Sequence, residues 1–182
     1  QSLVKGVATG VDAIVLESDR DGIETITAEL EKYASRHEVI EAVHIISHGS
    51  AGSLQLGNRL LNRDTLSQYR SRLSRWQEAL TSTSELLLYG CNVAAGMGAN
   101  FVRQLSELTG AKIAASLNLT GNAAKGGDWN LEFKTGEIKA PIALVPEVVA
   151  AYDGVLATFT VTNTNDDGIG SLYRVISTFL YL

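Results

Sequence analysis

Two short, mainly apolar runs, each followed at once by a glycine and a reactive side chain, constrain the fold of this chain most. Residues 43–47 precede His48 and Gly49, and residues 86–89 precede Gly90 and Cys91. Runs with apolar residues on both faces are typical of parallel strands covered on both sides. The pattern therefore predicts an α/β fold: a mainly parallel, doubly wound sheet with helices on both faces.

In three other segments of the chain, apolar residues recur at helical spacing, and this pattern predicts three helices. Further short apolar runs predict three more strands and a small β hairpin centred on Gly57 and Asn58. The helices span residues 23–35, 66–80 and 100–109, the hairpin residues 54–61, and the strands residues 11–17, 112–116 and 129–133. Asp21 is expected to cap the first helix, Asn62 or Asp64 the second, and Gly110 to end the third.

The composition changes near Leu156. Residues 158–168 are rich in Thr and Asn and lack the α/β pattern. We therefore expect one α/β domain over residues 1–156 and the start of a β-rich module, a C-terminal β tail, over residues 157–182.

Charge and composition exclude several classes of function. The net charge of −5 and the absence of a strong basic cluster argue against nucleic-acid binding. The single cysteine excludes an internal disulfide and a cysteine-rich zinc site, and no apolar run reaches the roughly 20 residues that span a membrane. His44 lies on the same strand face as His48 but about 13 Å away, too far to share a metal. We predict no metal and no cofactor.

His48 and Cys91 are the candidate catalytic residues. Both follow a strand at the carboxyl edge of the predicted sheet, where active sites collect in open α/β folds. His48 could then take the proton of the Cys91 thiol, and the positive end of the following helix would favour the thiolate. The alternatives are a buried structural cysteine and a loop histidine that bonds to the backbone.

Glycines beside the two reactive residues suit a binding site. Gly49 and Gly90 would let a substrate backbone come close, and the N–H groups near Gly49 and Cys91 could bind an oxyanion. Asp128 is a candidate receptor for a basic substrate side chain, with a turn aspartate as the alternative. Ser116 and Asn118 are speculative pocket residues that could equally be structural.

His48-Gly49 and Gly90-Cys91 resemble the motifs of the caspase-like superfamily of cysteine peptidases, clan CD. Residues 43–95 are most similar to its CHAT branch, in the order strand, His-Gly, Leu-x-Leu hairpin, helix, strand, Cys and small-residue turn. The resemblance implies a caspase-like cysteine endopeptidase with Cys91 as nucleophile and His48 as general base and acid. Since that superfamily opens with another strand and helix, it also implies that residues 1–156 form an N-terminally truncated domain.

Residues 43–133 also resemble a numbered domain of unknown function near the start of very large bacterial surface and adhesin proteins. The likeness lies in phrases such as His-Ile-Ile-Ser-His-Gly-Ser, Leu-Leu-Tyr-Gly-Cys-Asn and Gly-Gly-Asp-Trp-Asn-Leu-Glu. Residues 159–174 resemble the first coil of secreted parallel β-helix proteins. These resemblances imply a secreted or cell-surface parent protein, and a protein or peptide substrate that includes the chain itself, cut in cis. The alternatives are a non-catalytic N-terminal folding, docking or sorting module and a partner-regulated effector.

Overall fold

The computed structural model describes residues 3–157, and the predicted β-rich module lies outside these residues except for its first residue, Ala157. In chain order the elements are α1 (Gly22–Ser35), β1 (Ala42–Ile46), β2 (Gly49–Ser50), β3 (Ser53–Leu56), β4 (Arg59–Asn62), α2 (Leu66–Arg75), β5 (Glu85–Tyr89), α3 (Gly98–Thr109), β6 (Lys112–Ala115), β7 (Leu119–Thr120), β8 (Gly127–Asp128), β9 (Phe133–Lys134) and α4 (Pro146–Ala151). The chain is thus a mixed α/β protein.

A mainly parallel sheet forms the centre of the molecule. Its strand order is β1-β5-β6-β9, with β1, β5 and β6 parallel and β9 antiparallel. The predicted hairpin is also confirmed: β3 pairs antiparallel with β4 across Gly57 and Asn58, and β2 adds a third strand. The sequence therefore predicted the central strands and the hairpin correctly.

The two faces of the sheet are covered differently. Leu86 and Leu88 of β5 face a core that receives side chains from α1, α2 and α3. Leu87 and Tyr89 face the opposite way into a second apolar cluster. Helices were expected there, but this cluster is built mainly from extended chain within residues 129–142 and 152–157.

The predicted helix ends follow local chemistry. The Asp21 carboxylate accepts hydrogen bonds from the amides of Ile23 and Glu24, which caps α1. Gly110 adopts a φ of +72° and ends α3. At α2, the Asn62 side chain accepts from the amides of Asp64 and Thr65, and the helix starts one residue later.

Two predicted strands are wrong. Residues 11–17 form no strand; Ile14 and Val15 there are 50% and 57% exposed. Their apolar side chains imitate a strand pattern, but the segment finds no pairing partner in the described residues. Of residues 129–133, only Phe133 enters a strand. Trp129 instead packs between the rings of Tyr89 and Tyr152, with centroids 6.0 and 5.5 Å away. Among residues 3–157, no helix has the length and apolar character needed to cross a membrane.

Candidate functional site

The two predicted reactive motifs leave the sheet side by side. β1 and β5 are adjacent parallel strands in which Ile46 is paired with Tyr89. The pairing continues one step further, since the Ser47 amide donates to the Tyr89 carbonyl at 3.0 Å. The predicted meeting of the His48-Gly49 and Gly90-Cys91 turns at one sheet edge is therefore confirmed.

The glycines let these turns pack backbone against backbone. A Cβ atom on Gly49 would lie 2.8 Å from Val93 Cγ2 and 3.1 Å from the Cys91 nitrogen. A Cβ on Gly90 would lie 3.1 Å from the Ser47 carbonyl oxygen. All three contacts are tighter than a Cβ atom ordinarily makes, so a side chain at either position would push the two turns apart.

The backbone N–H groups of Gly49 and Cys91, here called the amide pair, point at one oxygen atom. Both donate to the carbonyl of Leu156, at 2.9 and 3.1 Å respectively. These are the two donors that the sequence predicted for an oxyanion. The structure shows that they converge, and that the chain itself supplies the oxygen they bind.

Leu156 belongs to an extended segment, residues 152–157, which we call the strap. On one side, the Leu156 amide donates to the Thr120 carbonyl at 2.9 Å, and the Asn122 amide donates to the Gly154 carbonyl at 2.8 Å. On the other side, Ala157 forms a parallel bridge with Gly49. The strap thus lies across the sheet edge between β7 and the Gly49 turn, bonded through its main chain in the manner of an added strand.

Cys91 lies beneath the strap and is fully buried. Its sulfur accepts from the Thr120 amide at 3.2 Å and donates to the Thr120 carbonyl at 3.6 Å. Burial raises the pKa of the Cys91 thiol, while the amides of Thr120, Leu156 and Cys91 itself act in the opposite direction. The expected thiolate is therefore disfavoured here, because the strap excludes water from the sulfur.

The chain turns sharply directly after Cys91. Asn92 adopts a φ of +60°, a region that asparagine tolerates better than most residues. Its amide donates to the Asn118 carbonyl at 2.7 Å. α3 begins only at Gly98, so its N-terminus does not follow Cys91 as closely as predicted.

His48 is half-buried directly before Gly49 in the chain. Burial lowers the pKa of its imidazole, and a hydrogen bond to the backbone of Ala157 acts in the other direction. The imidazole is therefore neutral at pH 7, the form in which it can accept a proton. Because the hydrogen bond raises the pKa, the imidazole is its donor and the backbone carbonyl of Ala157, the residue after Leu156 in the strap, is its acceptor.

The three speculative pocket residues form one hydrogen-bond network. Ser116 donates to Asn118, and the Asn118 side-chain amide donates to the Asp128 carboxylate at 2.9 Å. Asp128 also accepts from the Asn130 amide at 2.7 Å, as a turn aspartate does. Because the Asn118 carbonyl binds the Asn92 amide, this network positions the turn that carries Cys91.

The sequence missed the residues that close the site. Thr120, Leu156 and Tyr152 act through their main chain or as part of an apolar cluster, so no motif distinguishes them. His44, on β1, stacks on Tyr89 with ring centroids 6.0 Å apart. Within residues 3–157 no group of three His, Cys, Asp or Glu side chains is arranged to hold a metal ion.

Comparison with known proteins identifies a family. No curated protein and no solved structure has significant similarity to the chain. The model of one family, described as a domain of unknown function (DUF4347), matches residues 1–156. Since this match covers most of the 182 residues, the chain belongs to the DUF4347 family.

Proposed function

We propose that this domain is a caspase-like cysteine endopeptidase that acts on its own chain. In this proposal the fold is a caspase-like, doubly wound sheet. Cys91 is the nucleophile, His48 the general base and acid, and the amide pair stabilises the oxyanion. The observation that carries the proposal is the convergence of the Gly49 and Cys91 amides on one peptide carbonyl, at 2.9 and 3.1 Å.

Two rigid backbone donors on one carbonyl are what acyl transfer requires. As a nucleophile adds to the carbonyl carbon, negative charge develops on this oxygen, and donors at 2.7–3.1 Å bind the charged form more strongly. Close packing at Gly49 and Gly90 fixes both donors in advance, so little reorganisation is needed during the reaction.

The state of the two side chains suits a proton transfer during attack. A buried, protonated thiol must lose its proton to a base, and the neutral imidazole of His48 can accept it. The Ser116–Asn118–Asp128 network supports this chemistry by holding the Asn92 turn, and with it the main chain of Cys91.

The second candidate is a non-catalytic folding, docking or sorting module of a bacterial adhesin. The specific observation in its favour is that the Cys91 sulfur already bonds to both the amide and the carbonyl of Thr120. In that case Cys91 joins β5 to β7, and the strap is a permanent edge of the sheet. In both candidates we propose a secreted or cell-surface parent protein, which the sequence resemblances support.

The deciding test is the integrity of the chain over time. We would incubate the purified 182-residue protein with a reductant and follow it by intact mass, comparing Cys91→Ala and His48→Asn with the matched control His37→Asn on the surface. We expect fragmentation to stop in Cys91→Ala, to slow about 100-fold or more in His48→Asn, and to stay unchanged in His37→Asn. Identical fragmentation in Cys91→Ala would refute the proposed function.

A further inference from the structure

We infer that the strap is this domain's substrate and that the bond it cuts is Leu156–Ala157. The inference rests on the proposed function and names the substrate of that same site. Three observations support it: the strap is held through its main chain, the groups of the proposed mechanism flank this one peptide bond, and the Leu156 side chain is buried.

The strap is bound as an extended peptide on both of its edges. Residue 155 pairs antiparallel with Gly121 and residue 157 pairs parallel with Gly49. The Asn122 side chain adds a further bond to the Tyr152 carbonyl at 2.8 Å. Main-chain bonding of this kind holds a peptide in one register, so a single bond is presented to the site.

The groups of the proposed mechanism flank the Leu156–Ala157 bond. The amide pair binds the carbonyl oxygen on the Leu156 side. The Leu156 amide lies close enough to the Cys91 sulfur to lower the pKa of the thiol. His48 donates a hydrogen bond to the backbone carbonyl of Ala157, which lies on the other side of the bond that would be cut. No other peptide bond of the strap has its carbonyl in the amide pair.

The side chain before the bond is buried among apolar neighbours. Leu156 is 6% exposed and shares a cluster with Leu87, Tyr89 and Cys91. Asp128, the candidate receptor for a basic side chain, has its carboxylate bonded to Asn118 and Asn130. The site therefore selects an apolar residue at this position, and a charged one would lose its hydration without gaining a partner.

The close approach of the chain favours a small residue two positions earlier, at Gly154. Gly121, whose φ is +133°, approaches the strap so closely that a Cβ atom on it would lie 2.4 Å from the Gly154 carbonyl oxygen. A Cβ on Gly154 would lie 3.0 Å from the Tyr152 hydroxyl. Val155, between Gly154 and Leu156, is partly buried against the same apolar cluster as Leu156. The site thus favours a small residue followed by two apolar ones before the bond that is cut.

The reaction consumes one water molecule and needs no other reagent. The Cys91 sulfur forms a bond to the Leu156 carbonyl carbon while the thiol proton passes to His48. The bond from that carbon to the Ala157 nitrogen then breaks, and His48 returns the proton to the amine that leaves. Water, deprotonated by His48, hydrolyses the thioester, which restores the thiol and leaves a carboxylate on Leu156. The DUF4347 match ends at residue 156, so this cut would separate the whole matched region from residues 157–182.

The test locates the cut and varies the residues beside it. In the full 182-residue chain we expect intact mass and N-terminal sequencing to find a fragment that begins at Ala157. Ala157→Pro keeps the Leu156 carbonyl and side chain but replaces the leaving nitrogen, and Leu156→Arg places a charge in the apolar cluster. We expect each to slow this cut about 100-fold or more. Leu156→Met should stay within about 10-fold of wild type, and so should the control Leu117→Arg, at a leucine that is 44% exposed.

The outcomes separate the inference from the function beneath it. A Cys91-dependent cut at another bond, or an unchanged rate in Ala157→Pro, would overturn the inference and leave the peptidase standing. The absence of any Cys91-dependent cut, both in the chain and in dye-labelled casein, would overturn both. Circular dichroism on each variant identifies any that is unfolded. Where Leu156→Arg does not fold, Ala157→Pro, which leaves the buried Leu156 side chain unchanged, still tests the bond.

Discussion

At the scale of single residues, Cys91 combines features that favour opposite protonation states. Burial raises the pKa of its thiol, while three backbone amides near the sulfur favour the thiolate. Burial has the larger effect, and the strap is what produces part of it. The reactivity of this cysteine should therefore depend on whether the strap is in place.

Alkylation of Cys91 by iodoacetamide measures this dependence. Ala157→Pro is the background for this measurement, because we expect it to resist cutting and so to keep the strap in place. In this variant we expect alkylation to be slow at pH 7 and to speed up only at pH values above the ordinary pKa of a thiol. Adding Gly121→Ala, which moves the strap, should speed alkylation about 10-fold or more at the same pH. Fast alkylation at pH 6 with the strap in place would contradict this prediction.

Tyr89 makes the stability of the protein sensitive to alkaline pH. Burial raises the pKa of its hydroxyl from 10.0 to about 12. A group whose pKa is higher in the folded state stabilises that state below its unfolded pKa, and this contribution disappears as the pH rises through the folded value. We expect the free energy of unfolding to fall by about 2 kcal/mol between pH 9 and pH 12 on account of Tyr89. Urea titrations should show a smaller fall in Tyr89→Phe, and an equal fall would contradict the assignment.

At the scale of elements, the pairing of the strap with residues 119–122 depends on Gly121. Gly121→Ala should detach the strap, because the new Cβ atom would overlap the Gly154 carbonyl. We expect faster hydrogen–deuterium exchange at the Leu156 amide and slower cutting of the chain.

Gly126→Ala is the matched control for this change. Gly126 also has a positive φ, +79°, but a Cβ atom there would meet nothing within 4 Å. It therefore carries a similar backbone strain without touching the strap. Equal effects of the two substitutions would show that strain, and not displacement of the strap, is responsible.

The elements that the sequence predicted are those whose signal is local. The apolar run of β5, the Asp21 cap and the Gly110 stop each act within a few residues, so a pattern in the sequence is enough to find them. Residues 11–17 carry a strand pattern but lack a neighbour to pair with among the described residues. Trp129 alternates as in a strand, yet it packs between two aromatic rings from distant parts of the chain. Contacts of that kind are not encoded in any local pattern.

At the scale of the whole molecule, one buried carboxylate binds the segment of residues 129–142, here called the cover, to the second face of the sheet. Glu85 of β5 is 6% exposed and accepts from the amides of Lys139 and Ala140 at 2.8 and 2.7 Å. Loss of the carboxylate would leave these two backbone amides without the acceptor that they have in the folded protein. The cover and the sheet should therefore unfold together.

Glu85→Gln tests this coupling. A glutamine offers one acceptor oxygen where the carboxylate offers two, and its NH₂ group would face an amide. We expect a loss of about 2 kcal/mol in the free energy of unfolding, measured by urea denaturation. Glu137→Gln is the control, since the Glu137 side chain is 75% exposed and makes only a 4.0 Å ion pair with Lys139. A loss of similar size in both variants would mean that charge alone, and not the two buried bonds, is responsible.

The part of the candidate site that could be predicted from the sequence is the pair of turns that follow β1 and β5. Parallel pairing alone brings His48, Gly49, Gly90 and Cys91 together once β1 and β5 are neighbours. The strap was not predictable, because its bonds to Thr120, Asn122 and the amide pair come from its main chain and carry no sequence pattern. For the same reason the buried state of Cys91, and with it the direction in which its pKa moves, could be known only from the structure.

The aromatic contacts of the strap give the molecule a built-in optical signal. Tyr152 lies edge-on to Trp129 at 5.5 Å, so departure of the strap would bring water to the indole ring and shift its fluorescence to longer wavelength. The second tryptophan, Trp76, is buried in the helix-covered core and donates to Thr27 at 2.8 Å, so its emission would stay constant. Trp76→Phe would leave Trp129 alone to report, in real time and without any label, the moment at which the sheet edge is uncovered.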